Sequence, residues 1–353
     1  MRWGSTGVDG GRRRSLFRSK GVEEGRRRSR AVTAVLAVFF VALFVLPDSA
    51  WAWTPGTHIW LGETILANLH LLPASVSDLL HAFPYDFLYG SIAPDISFAK
   101  RYVPPGRHSH FWHVGQEVYA DAPSDAMKAF GLGYLAHLSA DTMAHNFYVP
   151  RQLLLTSSTR SMGHSYWEIR AETHLTDEYA RKARDIIRMD HAQADRHLER
   201  IISPTIFSVP TNRRIFRGMV HLAHTRTWQR AMQAARERSR WLLTNQDLEQ
   251  HLGAAYDATV EVLADEKALA RRLDPSGHLP LSKAKAMRRS AILRGAWYEP
   301  ERLVQVAQEQ FGLPALLPGY FADSAVKKPW ELPAPAHALA EESQGDRRLT
   351  IDD

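Results

Sequence analysis

From residue 53 onward, apolar positions recur every three or four residues, strict apolar–polar alternation is scarce, and Ala, Leu, Arg and Glu dominate. Residues 58–70 (HIWLGETILANLH) read as a first helix and 75–81 as a short one. Residues 84–116, rich in Pro, Gly and aromatics, read as loop. Ser124 is placed to N-cap a helix that runs to Asn146, and Pro150 stops its continuation. A helix over 162–189 follows, then amphipathic helices around 191–203, 211–241, 246–272, 281–296 and 299–311. After Leu316 the chain turns to Pro, Ala and charge, which reads as a flexible tail with no core of its own. The expected fold is all-α: one multi-helix, bundle-like domain over 53–315 and a tail over 316–353, with no internal repeat.

Ahead of this domain stands a different pattern. Residues 31–46 (AVTAVLAVFFVALFVL) carry no charge. The run is short of the ~20 residues a membrane span needs and close to a signal-peptide core. Arg26, Arg27, Arg28 and Arg30 give its positive flank, Pro47 breaks it, and Ala50-Trp51-Ala52 fits the small-x-small cleavage rule. Residues 1–52 are therefore expected to be a leader cleaved after Ala52, with the product exported to the periplasm or secreted. The alternative is an uncleaved anchor over 31–46.

The leader changes how charge is read. The chain of 353 residues has net charge +6, but ten of its 44 basic and four of its 38 acidic residues lie in 1–52. The remainder holds 34 of each, so it offers no global argument for binding nucleic acid by counterion release. Cysteine is absent, which excludes disulfides, Cys-based zinc sites and thiol nucleophiles. There is no Gly-rich phosphate loop and no Gly-x-Ser-x-Gly elbow.

Candidate chemistry lies with the 17 histidines, seven of which fall between His108 and His174. HLSADTMAH sets His137, Asp141 and His145 at i, i+4 and i+8. At 3.6 residues per turn they share one stripe within about 80°. Imidazole and carboxylate suit zinc where thiolate is absent. HSYWE opens the next long helix with His164 and Glu168, and two such helices side by side would gather five ligands, as bundle metal sites do. Glu172 continues that face. Upstream, RHSHFWH offers His108, His110 and His113, and GSIAPDI offers Asp95, either a ligand, a general base or a turn aspartate.

The ordered set Trp-x4-His, Pro-Asp, His-Phe, His-x3-Asp-x3-His and His-x3-Glu resembles the zinc-dependent phospholipase C family, related to the S1/P1 single-strand nucleases. The resemblance covers roughly residues 53–180 and implies an all-α phosphodiesterase with up to three Zn2+ ions. It implies that Trp53, through a free α-amine and its carbonyl, and His58 bind one zinc. Asp141 would bridge that zinc to a second, completed by His137 and His110, and His145, His164 and Glu168 would hold a third. His110 is preferred to His108 and His113 because Phe111 follows it and its 15-residue distance from Asp95 suits the nuclease branch. Asp95 would orient or deprotonate the attacking water. One departure is that characterised enzymes have a longer gap before the last histidine, whereas here three residues keep His145 on the helix itself. The implied substrate is a phospholipid or other phosphodiester, met by a monomer with peripheral membrane contact. Nucleic acid is the substrate only under the alternative of an S1/P1-type nuclease or 3′-nucleotidase. The remaining alternatives are a non-catalytic metal-binding module and a plain helical domain whose histidines are incidental.

Overall fold

The computed structural model describes residues 1, 53–96, 108–156, 164–203, 208–223, 225–239, 241–295, 299–315, 318–324 and 328–331. The expected leader, its cleavage site and the anchor segment lie outside the described residues. Residues 1–49 and 50–353 form two units, and every described residue but Met1 belongs to the second. Among the described residues there is no strand, and no helix is long and apolar enough to cross a membrane.

The helices are α1 (Pro55–Ala67), α2 (Ala74–Ala82), α3 (Pro84–Gly90), α4 (Trp112–Ala120), α5 (Asp125–Met143), α6 (Val149–Leu155), α7 (His164–Glu172), α8 (Asp177–Arg188), α9 (Ala192–Ile201), α10 (Val209–Ala223), α11 (Arg226–Glu237), α12 (Asn245–Ala264), α13 (His278–Leu293), α14 (Pro300–Phe311) and the short α15 (Tyr320–Asp323). The fold is all-α, as the apolar periodicity implies.

Helix α5 is the axis. Ser124 caps it by accepting from the Met127 N–H. Nearly every residue from Met127 to Met143 is buried, because α3, α4 and α12 surround it. Helix α3 crosses α5 backbone to backbone. A Cβ on Gly133 would lie 2.0 Å from the Phe87 carbonyl oxygen, and one on Gly90 would lie 2.1 Å from that of Phe130. The crossing sets the C-terminal end of α3, and the 3-10 turn Ala93–Ile96 behind it, over the histidine stripe of α5.

Three expected boundaries are corrected. The segment 84–116 is largely helical: Pro84 stands in the first turn of α3, where its missing N–H costs nothing, and α4 follows. Pro150 does not stop the long helix. A π-turn over Ala144–Tyr148 intervenes, and Pro150 then occupies the first turn of α6. Of the expected helix over 162–189, residues 164–188 form two helices rather than one, parted at 173–176, where the Thr176 N–H goes to the Pro329 carbonyl at 2.8 Å. Past residue 315 the chain still packs on the domain. Phe321 meets Trp60 and Tyr256 edge-on, and Asp257 accepts the N–H groups of Gly319 and Phe321 at 2.9 and 2.7 Å.

Candidate metal centre

Asp95, His110, His137 and Asp141 each turn one ligand-type atom into a group whose members lie within 4.8 Å of one another, all buried. Helix α5 presents His137 and Asp141 one turn apart. The 3-10 turn after α3 presents Asp95, and the residue pair before α4 presents His110. The Nε2 atoms of His110 and His137 are 3.1 Å apart, and each lies 3.1–3.2 Å from Asp141 Oδ2. Asp95 Oδ1 is 3.4 Å from His110 Nε2 and 3.8 Å from His137 Nε2. Two ligands about 2.0–2.1 Å from a tetrahedral zinc stand about 3.3 Å apart, so these separations are those of four ligands about one ion.

Asp141 faces two ways. Its Oδ2 meets the His110–His137 pair, whereas its Oδ1 lies 3.2 Å from His58 Nε2. The His58 ring stacks on His137 with centroids 4.0 Å apart. A carboxylate with one oxygen toward each of two histidine sets is the arrangement a bridging ligand takes.

The partners of these atoms favour a cation. Both oxygens of Asp95, both of Asp141 and Nε2 of His58 are buried without a hydrogen-bond partner. The nitrogen–oxygen approaches of 3.1–3.8 Å are close enough for charge to act across them, although none has hydrogen-bond geometry. Buried carboxylates left so cost several kcal/mol each unless a charge compensates them. Burial would raise both carboxyl groups, but facing imidazoles outweigh it. His137 and His110 hold Asp95 below the usual range, and with His58 they hold Asp141 well below it. Burial lowers His58, helped by the charge of His137. For His137 burial is outweighed by Asp141 and Asp95, and its pKa is raised. Two ionised carboxylates among imidazoles suit a divalent cation with nitrogen and oxygen preference.

Outer contacts fix the rings. His137 Nδ1 donates to the Ser91 carbonyl at 2.9 Å, leaving the Nε2 lone pair for a metal. His110 Nδ1 lies 3.0 Å from Ser109 Oγ, and Tyr134 holds the Ser109 carbonyl at 2.7 Å. Of the other loop histidines, His108 accepts the His110 N–H at 3.1 Å and stacks on Phe111, and His113 is exposed.

The remaining expected ligands stand elsewhere. Trp53 is fully buried: its indole donates to the Ala140 carbonyl at 3.1 Å and stacks on Tyr148. That anchors residue 53 beside the residue preceding Asp141. His145 lies in the π-turn, not in the four-residue group, and its Nδ1 is 2.6 Å from the Pro275 carbonyl. Glu168 is buried on α7, which Tyr148 of the π-turn holds through the Trp167 carbonyl at 3.0 Å. The side chain of His164 lies outside the described residues. Glu172, raised by burial, approaches Thr54. The carbonyls of Ser91 and Pro275 have no signature in sequence, since any residue supplies one.

The donor set fits a metal-dependent phosphodiesterase. No curated protein and no solved structure matches the chain. Residues 57–209 match the family model described as zinc dependent phospholipase C. That span contains His58, Asp95, His110, His137, Asp141, His145, His164 and Glu168, and leaves out Trp53 and everything after Val209, the first residue of α10. Over residues 57–209 the chain is similar to the zinc dependent phospholipase C family.

Proposed function

We propose that the protein is an exported zinc-dependent phosphodiester hydrolase of the phospholipase C type, cleaving the headgroup phosphate ester of a phospholipid. The observation that carries this is the buried group of Asp95, His110, His137 and Asp141, whose spacing suits one ion and whose carboxylate oxygens lack hydrogen-bond partners. His137, His110 and Asp141 hold one zinc in this reading. Asp141 Oδ1 and His58 hold a second together with the amine and carbonyl of Trp53, freed when residues 1–52 are removed. His145, His164 and Glu168 hold a third. Zinc supplies Lewis acidity, neutralising phosphate oxygens and making water acidic enough to ionise near neutral pH.

The chain's own residues do the rest. Asp95 takes the proton of the attacking water, for which a carboxylate held ionised is suited. The Ser91 carbonyl keeps the proton of His137 on Nδ1. The buried walls of α3 and α5 keep bulk water from the group. A mature domain with balanced charge suits a zwitterionic headgroup at least as well as a polyanion. Membrane contact is then peripheral and the protein a monomer.

A specific observation favours a second role for Asp95, since its distances to His110 and His137 also make it a fourth ligand. Asp95→Asn separates the two. As a base alone, the variant keeps its zinc and loses about 10²–10⁴ in rate; as a ligand it loses zinc as well.

The experiment that tests the function is elemental analysis of the exported protein starting at Trp53, followed by assays on phosphatidylcholine vesicles and on single-stranded DNA. About three zinc ions per chain and release of diacylglycerol are expected. Cleavage of DNA alone would move the protein to the nuclease reading. Zinc without turnover of either substrate would make it a binding module, and no zinc would end the phosphodiesterase reading.

A further inference from the structure

Outside the family-matched span, between α12 and α13, three consecutive carbonyls are taken by side chains from around the metal centre. Trp112 Nε1, two residues after His110, donates to the Leu273 carbonyl at 2.9 Å. Asn146 Nδ2 donates to that of Asp274 at 2.9 Å, and to the Thr142 carbonyl at 2.8 Å. His145 Nδ1 donates to that of Pro275 at 2.6 Å. A carbonyl only accepts, so this last bond fixes the proton on Nδ1 and leaves the lone pair of a neutral ring on Nε2.

The loop is shaped to stay there. Gly277 has φ +58, in the left-handed region that glycine adopts without strain. A Cβ at that position would stand 2.4 Å from His145 Cβ and 2.6 Å from its carbonyl oxygen. Asp274 ties the turn from within. Its Oδ1 accepts the Ser276 N–H at 2.9 Å, and its Oδ2 accepts the Ser276 hydroxyl at 2.6 Å and the His278 N–H at 3.2 Å. The Gly277 N–H returns to the Asp274 carbonyl at 3.0 Å. On the other side His145 lies in a π-turn, closed by the Val149 N–H on the Ala144 carbonyl, which sets its ring apart from the straight stripe of α5.

We infer that the loop over residues 273–277 is the positioning element of His145: its Pro275 carbonyl sets the tautomer and ring direction, and Gly277 and Asp274 hold that carbonyl in place. This rests on the proposed role of His145 as a zinc ligand. The part of the chain beyond residue 209, which the family match does not cover, thereby completes the metal centre. Residues 273–277 are positioning residues that touch neither substrate nor metal.

The test compares the full chain with Gly277→Ala, Asp274→Ala, Asp274→Asn and His145→Ala, reading zinc retention against a chromophoric chelator and helical content by circular dichroism. Outer partners of metal-bound histidine are worth about 10–100-fold in affinity. Gly277→Ala and Asp274→Ala are therefore expected to release one class of zinc about 10–100-fold more readily, at unchanged helical content. Asp274→Asn keeps an oxygen for the Ser276 N–H and is expected to stay within a few-fold of wild type. The proton-attached nitrogen of His145, read from its imidazole 15N shifts, should be Nδ1 in wild type and mixed in Asp274→Ala. Should Gly277→Ala fail to fold, the two Asp274 variants carry the comparison. Equal retention in Asp274→Ala and wild type, while His145→Ala loses zinc, would overturn the loop's role and leave the site intact. Unchanged zinc in His145→Ala would show that His145 is no ligand, and would overturn both.

Discussion

The buried histidines of this protein answer to two different surroundings. His137 faces two ionised carboxylates, which outweigh burial and raise its pKa. His251 is as hidden, but its Nδ1 meets only the Asp247 carbonyl at 2.7 Å, and burial with the charge of Arg151 lowers its pKa from 6.5 to about 4. The sign follows from linkage. In the unfolded chain His251 takes up a proton near pH 6.5, whereas the folded chain resists until about pH 4. Its neutral packing is thus fully stabilising above pH 6.5 and is lost as the pH falls to about 4, a change of about 3 kcal/mol. Urea midpoints measured between pH 7 and 4 should fall less steeply for His251→Gln than for wild type. Parallel slopes would sink the assignment. At this scale the site was partly legible. The spacing of His137 and Asp141 marks ligand chemistry, and Asp95 after Pro94 marks a carboxylate where the structure brings one to them. What holds the rings could not be read, because the carbonyls of Ser91 and Pro275 leave no trace in residue type.

Elements place those residues through close approach. The motif FGLGYL puts Gly133 where α3 lies on α5, and a methyl there would stand 2.0 Å from the Phe87 carbonyl oxygen and 2.9 Å from the Ser91 nitrogen. Neither atom is the end of a flexible chain, so α3 must move. Gly133→Ala gains up to about 1 kcal/mol of helix propensity but loses about 1–3 kcal/mol or more to overpacking. It should lower stability and also zinc content, since the Ser91 carbonyl and Asp95 ride on the displaced segment. Gly218 on α10 has nothing within 4 Å of its Cβ direction, so Gly218→Ala should raise stability by up to about 1 kcal/mol. Thermal melts of the two variants should shift in opposite directions; a shared direction would refute the packing account. The Ser124 cap and the apolar run after it made α5 readable. Helices α3 and α4 hid in a stretch whose Pro, Gly and aromatics resemble loop, because Pro84 starts a helix and Gly90 serves a crossing. The π-turn has no propensity signal, so the spacing of His145 could be counted but its direction could not.

At the scale of the whole molecule, the late part of the chain is tied to the early part. The Pro, Ala and charge after residue 316 suggest a tail, yet Asp257 on α12 accepts two backbone N–H groups from 319–321, and Phe321 fills the space that Gly253 leaves open. Lys328 pairs with Glu249 and lies over the Phe321 ring, and the Pro329 carbonyl takes the Thr176 N–H between α7 and α8. These contacts come from backbone N–H and carbonyl groups, one aromatic ring and one lysine, which is why composition alone hides them. A chain ending at residue 315 strips Asp257 of both donors and uncovers part of Trp60 and Tyr256. Hydrogen bonds to a charged group contribute about 1.5–3 kcal/mol each and partial burial of an aromatic ring adds to that, so the loss of both should be about 3–6 kcal/mol or more. A chain ending at residue 331 keeps every one of these contacts and is the reference for the shorter one. The group of Asp95, His110, His137 and Asp141 should keep its metal affinity in both truncations, because the contacts of residues 319–331 named above fall on α1, α12 and the Thr176 junction rather than on those four residues. If the 315 and 331 chains unfold at the same urea concentration, the segment is a tail in energy whatever its contacts; if only the shorter chain is weakened, the described end of the chain is a working part of the fold.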